Sequence, residues 1–422
     1  MIWPIVTVDN LKANIPHACV GGPFGSNLTS KHYVGEGVPV IRGQNLSGSG
    51  CFDESSFVFV TPEKADQLRS NLAFRGDVLF TQRGTLGQVG LIPENSMYDR
   101  YVVSQSQMKL TVDTSRVDAR YVYQYFRLES TIQEILNRTI TAGVPHINLG
   151  ILKSLEIPLP PLSVQKAIAE VAQAYDDLIA TNQRRIILLD EAARRLYQEW
   201  FVLLRFPGYE SSQLLDGVPE GWCKSPISEL TCFLNRGIAP KYDDTSKGLI
   251  INQKCIRDGR ISLAPARRQS KSVKPDRLVR MGDVLINSTG AGTLGRVAQV
   301  RSPIADCTVD THVTIARPSD ERAATYLGQA LLSLEPIFSN MGKGATNQLE
   351  LSRSDIGAIE IWRPPLDLCL EFDRFVWPML EQAEQLTTTN LILHRARDQL
   401  LPKLMAGQVD VSSIPLPEDV AA

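Results

Sequence analysis

Apolar positions recur every three or four residues along two long stretches of this chain. In the first, Ile168, Ala172, Tyr175, Ile179, Asn182, Ile186, Leu189, Ala193 and Leu196 alternate spacings of four and three. In the second, Phe372, Val376, Met379, Ala383, Leu386, Asn390, Leu393, Arg397, Leu400 and Leu404 do the same. Spacing of this kind, sustained over about four heptads, predicts a coiled-coil seam. Each stretch would make a helical rod about 60 Å long at ~1.5 Å per residue. An asparagine falls on each seam, Asn182 and Asn390, both preceded by threonine. A polar seam residue lowers stability and fixes register. Either helix direction is open to the chain. A twofold-like arrangement would make the pair antiparallel and bring the two asparagines together.

A proline hinge precedes each rod: Leu155-Glu156-Ile157-Pro158-Leu159-Pro160-Pro161-Leu162, and Ile359-Glu360-Ile361-Trp362-Arg363-Pro364-Pro365-Leu366 in the second half. Such a run cannot continue a helix or a central strand. Ser163 is the expected N-cap of the first rod, which should end near Phe201.

Ahead of each hinge the pattern is mixed. Val38–Ile41 and Phe57–Val60 read as strands, and Gly76 to Gly87 as strand, glycine turn, strand. Gly84 and Gly87 would supply positive φ or close approach. Asp118 to Asn137 reads as one helix, and Thr141–His146 as a loop. The second half repeats this order. Leu249–Lys254 echoes Val38–Gln44, and Gly282-Asp283-Val284-Leu285 with Gly292-Thr293-Leu294-Gly295 echoes Gly76-Asp77-Val78-Leu79 with Gly84-Thr85-Leu86-Gly87. A helix near Ala323–Ser339 and a polar loop from Gly342 to Gln348 follow. The chain therefore reads as a tandem duplication of globule, hinge and long helix.

Composition narrows the function. No apolar run is long enough for a membrane span, and the start lacks a signal-peptide pattern. Seven cysteines without a C-x-x-C pair fit a reducing cytoplasm and argue against zinc clusters. The net charge of −2 conceals an uneven distribution. Lys241 to Arg280 holds 11 Lys/Arg against 4 Asp/Glu, a net +7, whereas residues 1–150 carry 13 of each sign. The basic window suits a polyanion.

Catalytic motifs are missing from the sequence. There is no G-x-x-x-x-G-K-[ST], no N/D-P-P-Y/F, no H-E-x-x-H and no G-x-S-x-G. Gly290-x-Gly292-x-x-Gly295 fits a dinucleotide pattern, but strand-like Arg296–Val300 follows where a helix is required. Binding chemistry remains. Arg and Lys pair with guanine edges, Asn and Gln with adenine. The candidates in the first half are Gln44, Asn45, Gln82, Arg83, Thr85 and Gln105. In the second half they are Gln253, Lys254, Arg257, Asn287, Thr293, Arg296, Lys343, Asn347 and Gln348. Each alone reads better as an ordinary surface residue. Their recurrence on one framework, twice, favours a reading surface.

Over nearly its whole length the chain resembles the specificity subunit of a type I restriction-modification system. The hinge pair, the Arg195–Phe201 end of the first rod, Val218-Pro219-Glu220-Gly221-Trp222, the repeated glycine turns and Arg397–Gly407 carry the resemblance in order. The second hinge departs from the pattern, with Trp362-Arg363 in place of Leu-Pro. The resemblance implies an α+β architecture: two globular α/β target-recognition domains joined by two long helices in an antiparallel coiled coil, a pseudo-twofold tandem repeat. The expected segments are 1–157 and 208–361 for recognition, 158–207 and 362–411 for hinges and spacer helices, and 412–422 as a flexible tail. It also implies a non-catalytic cytoplasmic subunit that reads a bipartite, asymmetric site in double-stranded DNA. Its partners would be two modification subunits, which use S-adenosylmethionine, and restriction/translocase subunits, which use ATP. The alternatives are a related system with a fused or different nuclease, a self-contained methyltransferase, or a coiled-coil scaffold with protein-binding heads.

Overall fold

Glycine turns and short β-branched runs dictate strands of only two to six residues, and these assemble in the same pattern twice. The computed structural model describes residues 3–46, 50–141, 143–215, 217–342 and 349–414. Contacts divide the chain into Met1–Asn182 with Thr389–Ala422, and Gln183–Thr388.

In the first unit, Cys19–Gly21, Gln107–Leu110, Val78–Thr81 and Val89–Leu91 form an antiparallel sheet in that order. A second sheet orders Val58–Val60, Val38–Ile41, Tyr101–Val103 and Leu72–Ala73, with the middle pair parallel. In the second unit, Thr231–Arg236, Val313–Pro318, Val284–Asn287 and Val297–Gln299 repeat the first sheet. Arg267–Arg268, Leu249–Ile251 and Cys307–Val309 repeat three of the four strands of the second, again with one parallel pair. The central strands are buried on both faces, so their apolar residues run continuously. Val78 and Phe80 face one core cluster and Leu79 another; Val284 and Ile286 are divided from Leu285 in the same way.

The repeated Gly-Asp-Val-Leu has a structural cause. Gly76 and Gly282 turn at φ +81° and +89°. The following aspartate accepts the backbone N–H three residues upstream, Phe74 for Asp77 (2.9 Å) and Arg280 for Asp283 (2.8 Å). Each carboxylate is also buried against a cation from the neighbouring strand. Lys109 Nζ lies 3.0 Å from Asp77, and Arg317 holds Asp283 by two bonds of 2.8 Å. The pairing satisfies a charge that would be costly to bury alone.

Both hinges close their globules as strands: Glu156–Pro158 pairs with Ile5–Thr7, and Glu360–Arg363 with Cys223–Pro226. A tyrosine hydroxyl anchors each hinge from the packed helix, Tyr121 to the Pro158 carbonyl (2.7 Å) and Tyr326 to that of Trp362. The helix predicted over Asp118–Asn137 is two, Ala119–Phe126 and Glu129–Asn137. That near Ala323–Ser339 is likewise two, Ala324–Ser333 and Glu335–Asn340, with Pro336 opening the second.

The long helices span Leu162–Tyr197, continued by a wider π turn to Val202, and Leu366–Met405. Ser163 is not the N-cap. It lies inside the first turn, because Pro161 already accepts the N–H groups of Val164 and Gln165. The fully buried Gln165 instead donates its amide to the Pro160 and Arg116 carbonyls and accepts the Asp118 N–H. The second helix continues through Pro378, which local rules would make a breaker. Val376 and Leu380 on either side are buried in the core, and that packing holds the turn.

Within each unit the helices run antiparallel. In the first, Ile168, Ala169 and Ala172 pack with Leu401, Leu404 and Met405. Asn182 Nδ2 donates to Asn390 Oδ1 at 3.0 Å, and Asn390 Nδ2 to the Ile179 carbonyl at 3.2 Å. In the second, Ala193 and Tyr197 pack with Phe372, Val376 and Leu380. Leu380, not Met379, is the buried residue there, the drift expected of a 3.6-residue helix against a 3.5-residue repeat. No described helix is long and apolar enough to cross a membrane.

Candidate nucleic-acid interface

Strand register decides which loops meet. In the first unit Gly21 pairs with Met108 and Thr81 with Gln107. The segments after Gly21 and Thr81 and the one before Gln107 therefore emerge at one end of the sheet. The Ser104 N–H donates to the Ile41 carbonyl (3.0 Å), bringing the turn after Val38–Ile41 to the same end. Gln44, Asn45, Gln82, Arg83, Thr85 and Gln105, from three separated stretches, are gathered there.

Their side chains differ in availability. Arg83 and Thr85 are exposed on the turn set by Gly84 (φ +99°) and Gly87 (φ +86°), and Gln82 is half-buried beside them. Gln44 is exposed, its amide on Ser56 Oγ and carbonyl. Asn45 is fully buried: its Oδ1 accepts the Arg42 N–H and its Nδ2 donates to the Asp53 carbonyl. It shapes the turn from within. Gln105 is exposed, but its amide clamps the Gly25 and Leu28 carbonyls.

In the second unit Asn287 pairs with Val313, and the Asp310 N–H donates to the Ile251 carbonyl, so the same loops meet. Lys254 is exposed there. Asn287 is fully buried and donates to the carbonyls of Gln253 (3.0 Å) and Thr293 (3.1 Å). Thr293 bonds back to the Thr289 and Gly290 carbonyls, and the half-buried Arg296 donates to the Gly292 carbonyl at 2.8 Å. These three hold the glycine turn, which leads into strand Val297–Gln299 and not into a helix. Arg257 lies elsewhere. It belongs to a hairpin whose Gly259 lies against Leu332 and whose Arg260 binds the long helices. Lys343, Asn347 and Gln348 fall outside the described residues.

Of the 11 basic residues from Lys241 to Arg280, nine are exposed and two serve the framework. Arg277 donates to the Arg236 and Gly237 carbonyls. Arg260 binds Asp190 (2.8 Å), Glu384 and Thr387, and Asp190 also takes the buried Arg301 at 2.7 Å. The first unit uses the same device: Asp176 on the first long helix accepts Arg127 (2.8 Å) and Gln124 from the globule and Arg397 from the second helix. Burial pushes the Asp176 carboxyl up, but Arg127 and Arg397 outweigh it and hold it below the ordinary carboxylate value. At the strand end of the second unit, burial pushes the Asp310 carboxyl up against the opposing His312 N–H, which donates to it at 2.8 Å.

Pattern reading passed over Arg42 and Gln107. Their buried Nε and Nε2 atoms have no protein partner, and the same holds for Gln253 Oε1 and Asn287 Oδ1 in the second unit. Unpartnered buried polar atoms are uncommon, and these four lie at the two strand ends. The signal for Gln107 was its place at the start of the buried strand Gln107-Met108-Lys109-Leu110.

Two globules of one mixed α/β pattern, each with its loops gathered at one sheet end, are thereby defined. A family model described as the type I restriction modification DNA specificity domain matches residues 26–191. The type I restriction enzyme MjaIX specificity subunit of Methanocaldococcus jannaschii is 23% identical over 406 residues, 94% of this chain and 92% of that one. The HindI specificity subunit of Haemophilus influenzae is 20% identical, covering 79% and 87%. The crystal structure of a type I restriction-modification S subunit from M. genitalium shares the fold at a TM-score of 0.60 and 17% identity, over 95% of this chain and 96% of that one. Over nearly its whole length the chain is thus similar to the specificity subunits of type I restriction-modification systems.

Proposed function

We propose that this chain recognises a bipartite, asymmetric site in double-stranded DNA and directs partner subunits to it. The observation that supports this most is the duplication itself. Two globules share one topology and one Gly-Asp-Val-Leu framework, yet present different side chains where the loops meet. Equivalent frames with dissimilar loops suit two dissimilar half-sites. The continuous helices, 36 and 40 residues long, would act as the spacer that sets half-site separation. Their exposed apolar residues, such as Ile187, Leu188, Leu391 and Ile392, would receive the two modification subunits. S-adenosylmethionine and ATP would belong to the modification and restriction/translocase partners.

The test is reconstitution with the modification partner and mapping of methylated adenines. A two-part motif is expected, with no methylation by the isolated chain. A four-residue insertion after Gln183 should change the spacer and leave both half-sites unaltered. Altered half-site sequences, or methylation by this chain alone, would refute the proposal.

A further inference from the structure

Phe24 is the most exposed large apolar side chain among the described residues, at 90% of its surface, and it sits at the gathered strand end of the first unit. Single exposed apolar residues are ordinary. This one stands on a loop that is held from three sides. Gly22 lies so close to the neighbouring strand connection that a Cβ there would come within 1.9 Å of the Ser104 carbonyl oxygen. Asn71 Nδ2 donates to the Gly21 carbonyl at 2.7 Å, just before the loop. Gln105 clamps the far side through the Gly25 and Leu28 carbonyls. Gly25 turns at φ +53°, and the Asn27 N–H closes a tight turn on the Phe24 carbonyl at 3.1 Å. The framework thus orders a ring in solvent, on a loop that starts beside Gln82 and is clamped by Gln105, where burial would be favoured if the loop were free to fold over.

We propose that Phe24 is an apolar base reader of the first half-site, set against a base by the loop that Gln105 clamps. The inference rests on the strand end being the DNA surface. Among the polar groups there, an aromatic ring supplies the contact that hydrogen bonds cannot. It can meet a thymine methyl group in the major groove or wedge against a base step. Rigidity matters to either, because a ring already in place loses little freedom on binding. The matching loop of the second unit is filled differently, by the exposed Lys241 and by Tyr242 with Arg267 stacked 3.6 Å over its ring. A thymine-type contact is therefore expected from the first globule only.

The test uses the full chain assembled with its modification partner, and anisotropy on duplexes carrying the mapped site. Phe24→Ala should weaken cognate binding on the order of 10-fold, leave a duplex with a scrambled first half-site unaffected, and be partly rescued in Phe24→Leu. The ring is in solvent, so its removal opens no cavity, and melting curves should match. Uracil in place of one thymine should reproduce the loss in the parent chain and add nothing in Phe24→Ala, which identifies the methyl contact. Brightening of 2-aminopurine at one step, absent in Phe24→Ala, would identify the wedge. Cognate binding by Phe24→Ala within twofold of the parent overturns the proposal, as does an equal loss on cognate and scrambled duplexes. So does a cognate loss that no uracil or 2-aminopurine position localises. Arg83→Ala separates the two readings. If it weakens binding while Phe24→Ala does not, Phe24 alone is misassigned. If neither matters, the strand end is not the DNA surface.

Discussion

Replacing Asn182 by Leu removes one partner of a buried pair. Asn182 and Asn390 are 3% and 7% exposed, and Asn182 Nδ2 donates to Asn390 Oδ1 at 3.0 Å. In the single variant that bond is lost, a net ~0.5–1.5 kcal/mol. Asn390 Oδ1 is also left facing an apolar side chain without a donor, a further ~1–3 kcal/mol. Asn390 Nδ2 keeps the Ile179 carbonyl, which limits the damage. The expected loss is about 2–3 kcal/mol, or local opening roughly 30- to 150-fold more frequent. Asn182→Leu with Asn390→Leu removes both polar groups together and should cost less than either single change. Hydrogen exchange of peptides covering 175–186 and 386–396 reads local opening without requiring two-state unfolding of the whole chain. Unchanged exchange in the single variants, or additive losses in the double one, would refute the claim that the pair is mutually satisfied in a dry seam.

Asp176→Asn should destabilise the first unit by about 2–3 kcal/mol, because Arg127 and Arg397 lose their shared carboxylate. The Asp176 carboxyl is depressed below 3.8, so its stabilisation is full above that pH and is lost as pH falls through the lower folded value. Melting from pH 5 to pH 2 should therefore fall less steeply in Asp176→Asn than in the parent. Gly22→Ala and Gly237→Ala should each unfold their own globule, because the new Cβ would sit 1.9 and 1.8 Å from backbone oxygens of Ser104 and Val309. Gly84→Ala, in open space at φ +99°, should cost only ~1–2 kcal/mol by thermal melting.

Periodicity and punctuation made the long helices, the hinges and the duplication legible, because these depend on local spacing and on what proline and glycine permit. The break at Arg127-Leu128, Pro378 inside a helix and the misplaced cap at Ser163 were not legible. Each is settled by packing from distant sequence, which a local rule does not contain.

The candidate surface divides along the same line. Residue type placed Asn45, Gln105, Asn287 and Arg296 among base readers, but type does not tell a side chain that faces solvent from one that holds a loop. Asn45 and Asn287 are buried, and all four bind backbone carbonyls of their own framework. The charge of the Lys241–Arg280 window was visible, but not that Arg260 serves Asp190 and Glu384, more than 60 residues away. Nor did any pattern mark Phe24, whose exposure follows from clamps on Gly22, Gly25 and Leu28. By itself the sequence determined the repeat, the element types and the heptad seam, since these follow from the order of apolar, glycine and proline residues. Tertiary structure alone decided the antiparallel pairing of Asn182 with Asn390 and the gathering of loops at one sheet end. Both depend on register between strands and helices far apart in the chain, where hydrogen bonds and burial, not local spacing, choose the partner.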